Sequence, residues 1–298
     1  MSAKVGDREA TAQALLRASV KHSFDPVVDV DWAAPLAGDL FYLPPQRCSL
    51  FGTQLWDGLN RAQQIELSKH EVASMASVGI WFEMILMQLL VRHSYDLDPT
   101  SAHVKYALTE IGDECRHSVM FADMIEKFGA PAYGPGRLAH RQGKLLKNIS
   151  TGAEMFAAIL IAEEVLDALQ RESMADESLQ PIVRTVSRVH VIEEARHVRF
   201  ARDELTRQWA DLSRWKRERT RLMIGRSAVV IATRLVHPDA YAQVGIDPAA
   251  GKAAARANPQ RRETLSWAAR RLVPFFTEVG LIEGPAGALW RRSGLLPD

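Results

Sequence analysis

The chain has 298 residues, of which 47% are hydrophobic and 24% are charged, which is ordinary for a globular protein with a sizeable core. Its formal net charge of +1 gives no overall field that would attract nucleic acid or an anionic membrane, so neither partner is expected. Two cysteines are too few for a disulfide framework, and the N-terminus lacks the apolar segment of a signal peptide, so a cytoplasmic location is expected.

Residues 1–60 are predicted to form an arm that wraps around the body of the protein. A short helix is indicated from Glu9 to Val20, and prolines and glycines interrupt the rest of the segment. Trp32, Phe41 and Trp56 make the arm too apolar for a free tail. We therefore expect it to be ordered against the body.

Four long helices are predicted to form the core of the molecule, over about residues 61–210. Their apolar runs, capping residues and terminal Gly or Pro residues place them at residues 61–93, 102–128, 150–173 and 181–209. A short turn joins the first two helices, whereas residues 133–147 form a longer, basic connection to the third. The pattern is typical of two helical pairs in tandem.

The C-terminal part, residues 213–298, is also predicted to be helical. Helices are indicated at residues 214–236 and 259–279, separated by a link rich in Gly, Pro and Ala. No segment alternates with a period of two for long enough to be a convincing strand. The predicted fold is therefore all-α, a single domain over residues 1–298 with extra helices at both ends of a four-helix bundle.

The predicted fourth helix carries the strongest chemical signal. At about 100° per residue, His190, Glu194 and His197 fall within about 60° of one another on one face. The Glu-x-x-His unit also occurs on the second helix, at Glu114 and His117. This repeat predicts a carboxylate-bridged dimetal site inside the bundle, which needs one further glutamate from each of the other two helices.

Glu83 and Glu163 are the candidates for those two glutamates, because each lies in or directly after an apolar run. Glu114 follows Glu83 by 31 residues, and Glu194 follows Glu163 by the same 31 residues. This match favours Glu163 over its neighbour Glu164. The predicted metal ligands are therefore Glu83, Glu114, His117, Glu163, His190, Glu194 and His197.

The charge of this set supports a metal site. Four carboxylates and three neutral imidazoles carry a charge of minus four, which two divalent ions would neutralise. Without metal, carboxylates facing an apolar core would each be costly or protonated. The alternative is that the motifs are exposed residues in salt bridges, and His190 has the further alternative of a hydrogen-bonded core histidine. Oxygen and nitrogen ligands without cysteine suit iron, the expected metal, or manganese better than zinc.

Two further acidic residues, Asp113 and Glu193, each directly precede a predicted ligand. A carboxylate that accepts the distal N–H of a ligating histidine fixes its orientation, and we expect these two to bond the histidine of the opposite helix. Arg116 and Arg196 could balance their charge. Ordinary surface ion pairing is the alternative.

These motifs resemble the diiron arylamine N-oxygenases, the p-aminobenzoate N-oxygenase-like family of ferritin-like proteins. The resemblance covers about residues 60–236, and its most specific mark is His190-x-x-x-Glu194-x-x-His197, whose third histidine is absent from ordinary diiron proteins. It implies a ferritin-like bundle with the same seven ligands, two irons that activate O2, and oxidation of an amine nitrogen to hydroxylamine, nitroso or nitro product. It also implies a homodimer.

Substrate and electron donor are less constrained by the sequence. An aromatic carboxylate would be well held by an arginine near the metals, but the turns that flank the ligands of the first and third helices are apolar and favour a more apolar amine. Those turns offer Met75, Val78, Ile80, Met87, Ile159, Leu160 and Leu166. No nucleotide-binding Gly-x-Gly-x-x-Gly is present, so a separate reductase or small reductant is expected.

Two other functions are compatible with the same motifs. A diiron or Mn/Fe enzyme could hydroxylate carbon or otherwise oxidise an apolar substrate. A non-catalytic ferritin-like protein could bind the metal alone.

Overall fold

The computed structural model describes residues 6–297, and within that range the protein is all-α, as predicted. Its only strand-like feature there is an isolated β-bridge between Phe41 and Leu179. The helices are α1 (Arg8–Lys21), α2 (Pro26–Asp29), α3 (Gln54–Asp57), α4 (Arg61–Ser94), α5 (Ala102–Lys127), α6 (Arg137–Ile149), α7 (Ala153–Ala175), α8 (Pro181–Ala210), α9 (Arg214–Arg234), α10 (Asp239–Ala242), α11 (Pro248–Ala257), α12 (Pro259–Ala268), α13 (Leu272–Val279) and α14 (Ala286–Ser293), with a 3₁₀ turn at Pro45–Arg47.

Helices α4, α5, α7 and α8 form the predicted ferritin-like bundle. α4 packs along α5 and α7 along α8, and contacts between α5 and α8 and between α4 and α7 close the bundle. The ends follow local chemistry: Asn60 and Gln63 form a capping box at α4, and the Ser101 hydroxyl accepts the Val104 N–H at α5. The bundle thus presents four helix faces to one interior.

The N-terminal arm packs on the bundle, in agreement with its apolar composition. α1 lies against α5 and α8, where Arg8 donates two hydrogen bonds of 2.9 and 2.7 Å to Glu204. Farther along, the Gln180 side-chain oxygen accepts the Ala37 N–H at 3.0 Å. Residues 1–5 and 298 of the predicted single domain lie outside the described residues, and the division into arm, core and C-terminal helices stays a prediction.

The connection between α5 and α7 is itself helical. α6 packs against α4, with Gly143 so close to Trp81 that a Cβ atom there would lie 2.2 Å from the indole ring. Only a glycine permits this approach.

The helix predicted over residues 259–279 is broken in two, between Ala268 and Leu272. Pro274 explains the break, because proline has no N–H for a helical hydrogen bond and its ring clashes with the carbonyl four residues earlier. The chain restarts as α13, and Pro274 falls in the first turn, where neither problem arises. The prediction of one helix was wrong at this point.

Helix α4 is the one helix within residues 6–297 that is long and apolar enough to cross a membrane. More than half of its apolar window, 56%, is buried inside the protein. Buried core helices meet the same length and hydropathy criterion, so this single helix is weak evidence of a membrane span.

Candidate metal centre

The structure brings all seven predicted ligands together in the bundle interior. Glu83 comes from α4, Glu114 and His117 from α5, Glu163 from α7, and the remaining three, His190, Glu194 and His197, from α8. Each is at most 2% exposed. Their oxygen and nitrogen atoms form three groups that share members. Within each group, the candidate ligand atoms all lie within 4.8 Å of one another. The surface salt-bridge interpretation of the motifs does not fit this burial.

The first group joins the two Glu-x-x-His units of α5 and α8. His197 Nδ1 lies 2.8 Å from Glu194 Oε1 and 3.0 Å from Glu114 Oε1. His117 Nδ1 lies 3.2 Å from Glu114 Oε2 and 3.4 Å from Glu194 Oε1. Both glutamates therefore face both histidines, as bridging carboxylates must.

The second and third groups are centred on His190. Its Nε2 atom lies 3.7 Å from both Glu83 Oε1 and Glu194 Oε1, and Glu163 shares a group with His190 and Glu194. Its other nitrogen, Nδ1, lies 2.7 Å from the Gln170 side-chain oxygen and must donate to it. The Nε2 lone pair is therefore directed towards carboxylates, which favours coordination over a purely structural histidine.

Asp113 and Glu193 each reach the histidine of the opposite helix, as expected. Glu193 of α8 accepts from His117 Nε2 at 2.8 Å, and Asp113 of α5 accepts from His197 Nε2 at 3.2 Å. Because these carboxylates take the Nε2–H protons, the Nδ1 lone pairs of both rings are left for the centre.

Two arginines balance these outer carboxylates. Arg116 donates to Asp113, and Arg196 lies 3.1 Å from Asp113 and 3.7 Å from Glu193. The N-terminal arm completes the layer, since the Phe24 N–H donates to Glu193 at 3.0 Å. The arm therefore covers the α5–α8 side of the centre.

The shifted pKa values in the centre show that positive charge is stabilised there. Burial raises the pKa of Glu163 well above its ordinary value, and the neighbouring charges of Glu194 and Glu114 raise it further. Burial opposes protonation of His117 and His197. Hydrogen bonds to the surrounding glutamates nevertheless raise the pKa of His117 well above the ordinary value, and the charges of those glutamates do the same for His197. Without metal, Glu163 and the two imidazoles therefore hold protons, and the neighbouring carboxylates stabilise the protonated forms.

The donor set fits two metal ions. His190 Nε2 and Glu194 Oε2 are buried and have no hydrogen-bond partner, which is costly unless a cation lies between such groups. The nitrogen–oxygen separations of 2.8–3.7 Å are those of neighbouring ligands around one ion at bond lengths of about 2.1 Å. All donors are carboxylate or imidazole, and Cys115 is exposed outside the groups, so iron or manganese is favoured over a thiolate-bound metal.

Neighbouring acids are placed differently. Glu164 pairs with Arg202, with a hydrogen bond of 2.8 Å from the arginine Nε, so the preference for Glu163 is consistent with the geometry. Glu110, one helical turn before Glu114, is buried at 1% exposure, and burial raises its pKa well above the ordinary value. It lies outside the three ligand groups.

Sequence reasoning missed two partners of the ligands. Gln170 accepts from His190, and the Ser118 hydroxyl donates to Glu83 Oε2 at 2.7 Å. Gln170 lies seven residues after Glu163 and hence on the same helix face, a signal that was available. Ser118 directly follows His117, and only the packing of α4 on α5 shows that it reaches Glu83.

A small apolar cavity lies beside the His190 end of the centre. Gly79, Phe121, Leu166 and Val186, one on each bundle helix, line it, and each lies one helical turn from a candidate ligand. The cavity measures about 50 Å³, and its described lining includes no charged residue or histidine. Of the apolar residues that the sequence offered for a substrate, Met75 and Leu166 line it.

Comparison with known proteins gives one family and a small set of relatives. The family model of the p-aminobenzoate N-oxygenase AurF matches residues 5–280. One uncharacterized protein from Mycobacterium bovis and two from strains of Mycobacterium tuberculosis are each 30% identical over 210 residues, which is 68% of this chain and 62% of each relative. The chain therefore spans less than two thirds of the length of these relatives.

Proposed function

The chain belongs to the p-aminobenzoate N-oxygenase AurF family, and on that premise we propose that it is an O2-activating diiron oxygenase acting on an aromatic amine. The product would be the hydroxylamine, nitroso or nitro compound. The observation that carries the proposal is the convergence of four buried carboxylates and three imidazoles with unpartnered donor atoms on one centre.

The protein residues have distinct roles in this proposal. The seven ligands would hold two irons, or manganese in the same donor set, and the metals when bound would supply the activation of O2. Asp113 and Glu193 fix the tautomers of His197 and His117 and so keep the Nδ1 lone pairs directed inwards. Conversion of R–NH2 to R–NHOH consumes one O2, two electrons and two protons and releases one water, so an external reductase or small reductant is required.

The apolar cavity is proposed as the site of the amine. Its lining, as far as residues 6–297 form it, has no cation that could pair with a substrate carboxylate, so an uncharged aromatic amine should be preferred over p-aminobenzoate. The cavity of about 50 Å³ must widen to admit a ring, and the flexible side chains of Met75 and Met124 in its wall allow this. A homodimer and a cytoplasmic location complete the proposal.

The test is to load the protein anaerobically with ferrous iron, add reductant and O2, and analyse the products from a panel of aromatic amines. We expect hydroxylamine or nitro products from neutral anilines, at higher kcat/KM than from aminobenzoates. Ring- or side-chain-hydroxylated products would instead establish a C-hydroxylase. Iron binding without turnover of any amine or apolar substrate would support a non-catalytic metal protein.

A further inference from the structure

A second, larger cavity lies among the C-terminal helices, away from the bundle interior. The end of α9, residues 235–238, α11, α12 and the end of α14 enclose it, and it measures about 510 Å³. This lies within the range of about 300–1,000 Å³ typical of small-molecule sites. The centre in the bundle does not use it.

The lining of this cavity is strongly cationic. Its basic side chains are Arg234, Lys252, Arg256, Arg261, Arg262 and Arg292, and no Asp or Glu belongs to the described lining. Because the whole chain has a net charge of only +1, this concentration of positive charge is local. Like charges gathered around one cavity repel one another, and an anion relieves that repulsion.

Several of these cations have no other charged partner. Among residues 6–297, ion pairs within 4 Å are absent for Arg234, Lys252, Arg256 and Arg292. Arg261 is oriented by a hydrogen bond of 3.1 Å to the Ala232 carbonyl. Two acidic residues within residues 6–297 lie close to the lining: Asp239 is 3.6 Å from His237, and Glu71 is near enough to Arg261 for the guanidinium charge to lower its pKa. Four cations from α9, α11 and α14 are thus free to bind a ligand.

The rest of the wall combines five polar residues, among them His237 and Asn258, with an apolar part. Val229, Ala232, Val236, Pro238, Ala255 and Leu265 contribute to it. A simple inorganic ion would leave this surface without a contact, whereas a molecule with an apolar body and an anionic end would use both parts of the cavity.

We propose that this cavity, the cationic pocket, binds a small phosphorylated molecule with an apolar or aromatic body, such as a nucleoside diphosphate. The planar guanidinium group donates two parallel hydrogen bonds to phosphate oxygens, and a diphosphate offers the several negative charges that four free cations require. A monocarboxylate would leave most of them uncompensated.

The test is calorimetric titration of the full chain with adenosine diphosphate, inorganic pyrophosphate and adenosine. We expect adenosine diphosphate to bind, pyrophosphate to bind more weakly, and adenosine to bind more weakly still. Raised salt should weaken the binding of both phosphate ligands. Arg234→Gln and Arg256→Gln should each weaken the binding of adenosine diphosphate by about tenfold or more, because each variant loses charge-assisted hydrogen bonds to the phosphates.

Arg226→Gln is the matched control, because Arg226 is an exposed arginine on the same helix as Arg234 and does not line the cavity. It should bind adenosine diphosphate as the unchanged protein does. Absence of binding at millimolar ligand, or an equal loss in the control, would overturn the proposal. Tighter binding of an acidic peptide, such as oligoglutamate, than of adenosine diphosphate would also overturn it, in favour of a protein-docking surface. The titration requires no metal, so its outcome is independent of the oxygenase proposal.

Discussion

His190 differs from the other two histidines of the centre in the group that orients it. His117 and His197 donate to carboxylates, whereas His190 donates to the neutral amide oxygen of Gln170 at 2.7 Å. A carboxylate partner makes an imidazole a stronger donor to metal than an amide does. The ion beside His190 should therefore be the more weakly held of the two.

Removal of the Gln170 amide tests this difference. Gln170→Leu should weaken the binding of one ion by roughly 10–100-fold, because the His190 ring loses the acceptor that fixes its tautomer. The measurement is anaerobic titration with ferrous iron against a competing chelator. Gln88→Leu, an exposed glutamine on α4, is the control. If Gln170→Leu binds each ion as tightly as the unchanged protein does, the proposed role of Gln170 in orienting His190 is contradicted.

Glu71 is a buried carboxyl outside the centre, and it should make stability depend on pH. Its oxygens accept the Ser49 N–H at 2.9 and 3.1 Å. Burial raises its pKa to about 7, although the Ser49 hydrogen bonds and the Arg261 charge act in the opposite direction. The folded state therefore keeps a proton that the unfolded state releases, so stability falls as pH rises from about 4.5 to about 7 and levels off above that.

Glu71→Gln should remove this loss. The free energy of unfolding is measured for both proteins by urea denaturation in the presence of chelator. The difference, variant minus unchanged protein, should increase by about 3 kcal/mol from pH 4 to pH 8. The exposed Glu177→Gln serves as control and should show no such change. A pH-independent difference between Glu71→Gln and the unchanged protein would contradict the raised pKa.

Among the helices, the contact between α11 and α10 depends on a glycine. A Cβ atom at Gly251 would lie 2.5 Å from the Tyr241 ring and 2.9 Å from its Cβ. Tyr241 cannot move freely, because it is buried and its hydroxyl is 2.9 Å from the Ser49 hydroxyl. Helix α11 can therefore approach α10 only with glycine at this position.

Gly251→Ala should destabilise the protein. Overpacking of about 1–3 kcal/mol should exceed the gain in helix propensity of up to about 1 kcal/mol. Gly287→Ala is a control on α14, where an added Cβ atom would meet only the flexible Arg291 side chain, at 3.6 Å, so that variant should be neutral or slightly more stable. Urea denaturation of both proteins decides the matter, and a Gly251→Ala protein as stable as the control would refute the close packing.

Helical periodicity was sufficient to predict the bundle and to select the seven residues that the structure brings together. Their spacing of three, four and 31 residues is a property of single helices and of equal helical pairs. Ser118 was missed because its partner Glu83 lies on another helix, and inter-helix contacts depend on packing rather than on spacing. Gln170 shares a helix face with Glu163, so its spacing placed it near the centre, but its bond to His190 depends on the packing of α7 on α8. The cationic pocket was missed because four separate helices supply its basic side chains, so that only packing brings them together. The break before α13 could have been predicted from Pro274.

At the scale of the whole molecule, metal binding and folding should be linked. The four carboxylates of the centre come from four helices, and their mutual repulsion in the metal-free protein opposes the closing of the bundle. Ions that bind only the folded state stabilise it by about 2.7 kcal/mol each at a free concentration of 100 times Kd.

Two ions should therefore raise Tm by roughly 10 °C or more. Calorimetry of the chelator-treated and the iron-loaded protein under anaerobic conditions measures this difference. Glu194→Ala, which removes the carboxylate common to two of the ligand groups, should lose most of the shift. A Tm that does not respond to iron would mean that the buried acids are stabilised by protons alone.

The most direct test of the metal centre is a crystal structure of the anaerobically iron-loaded protein with anomalous data collected on both sides of the iron absorption edge. We predict two anomalous peaks between the four bundle helices. One should lie among the α5 and α8 ligands Glu114, His117, Glu194 and His197, and the other beside His190, Glu83 and Glu163. Absence of both peaks, or iron bound elsewhere on the chain, would contradict the central claim that these seven residues form a diiron site.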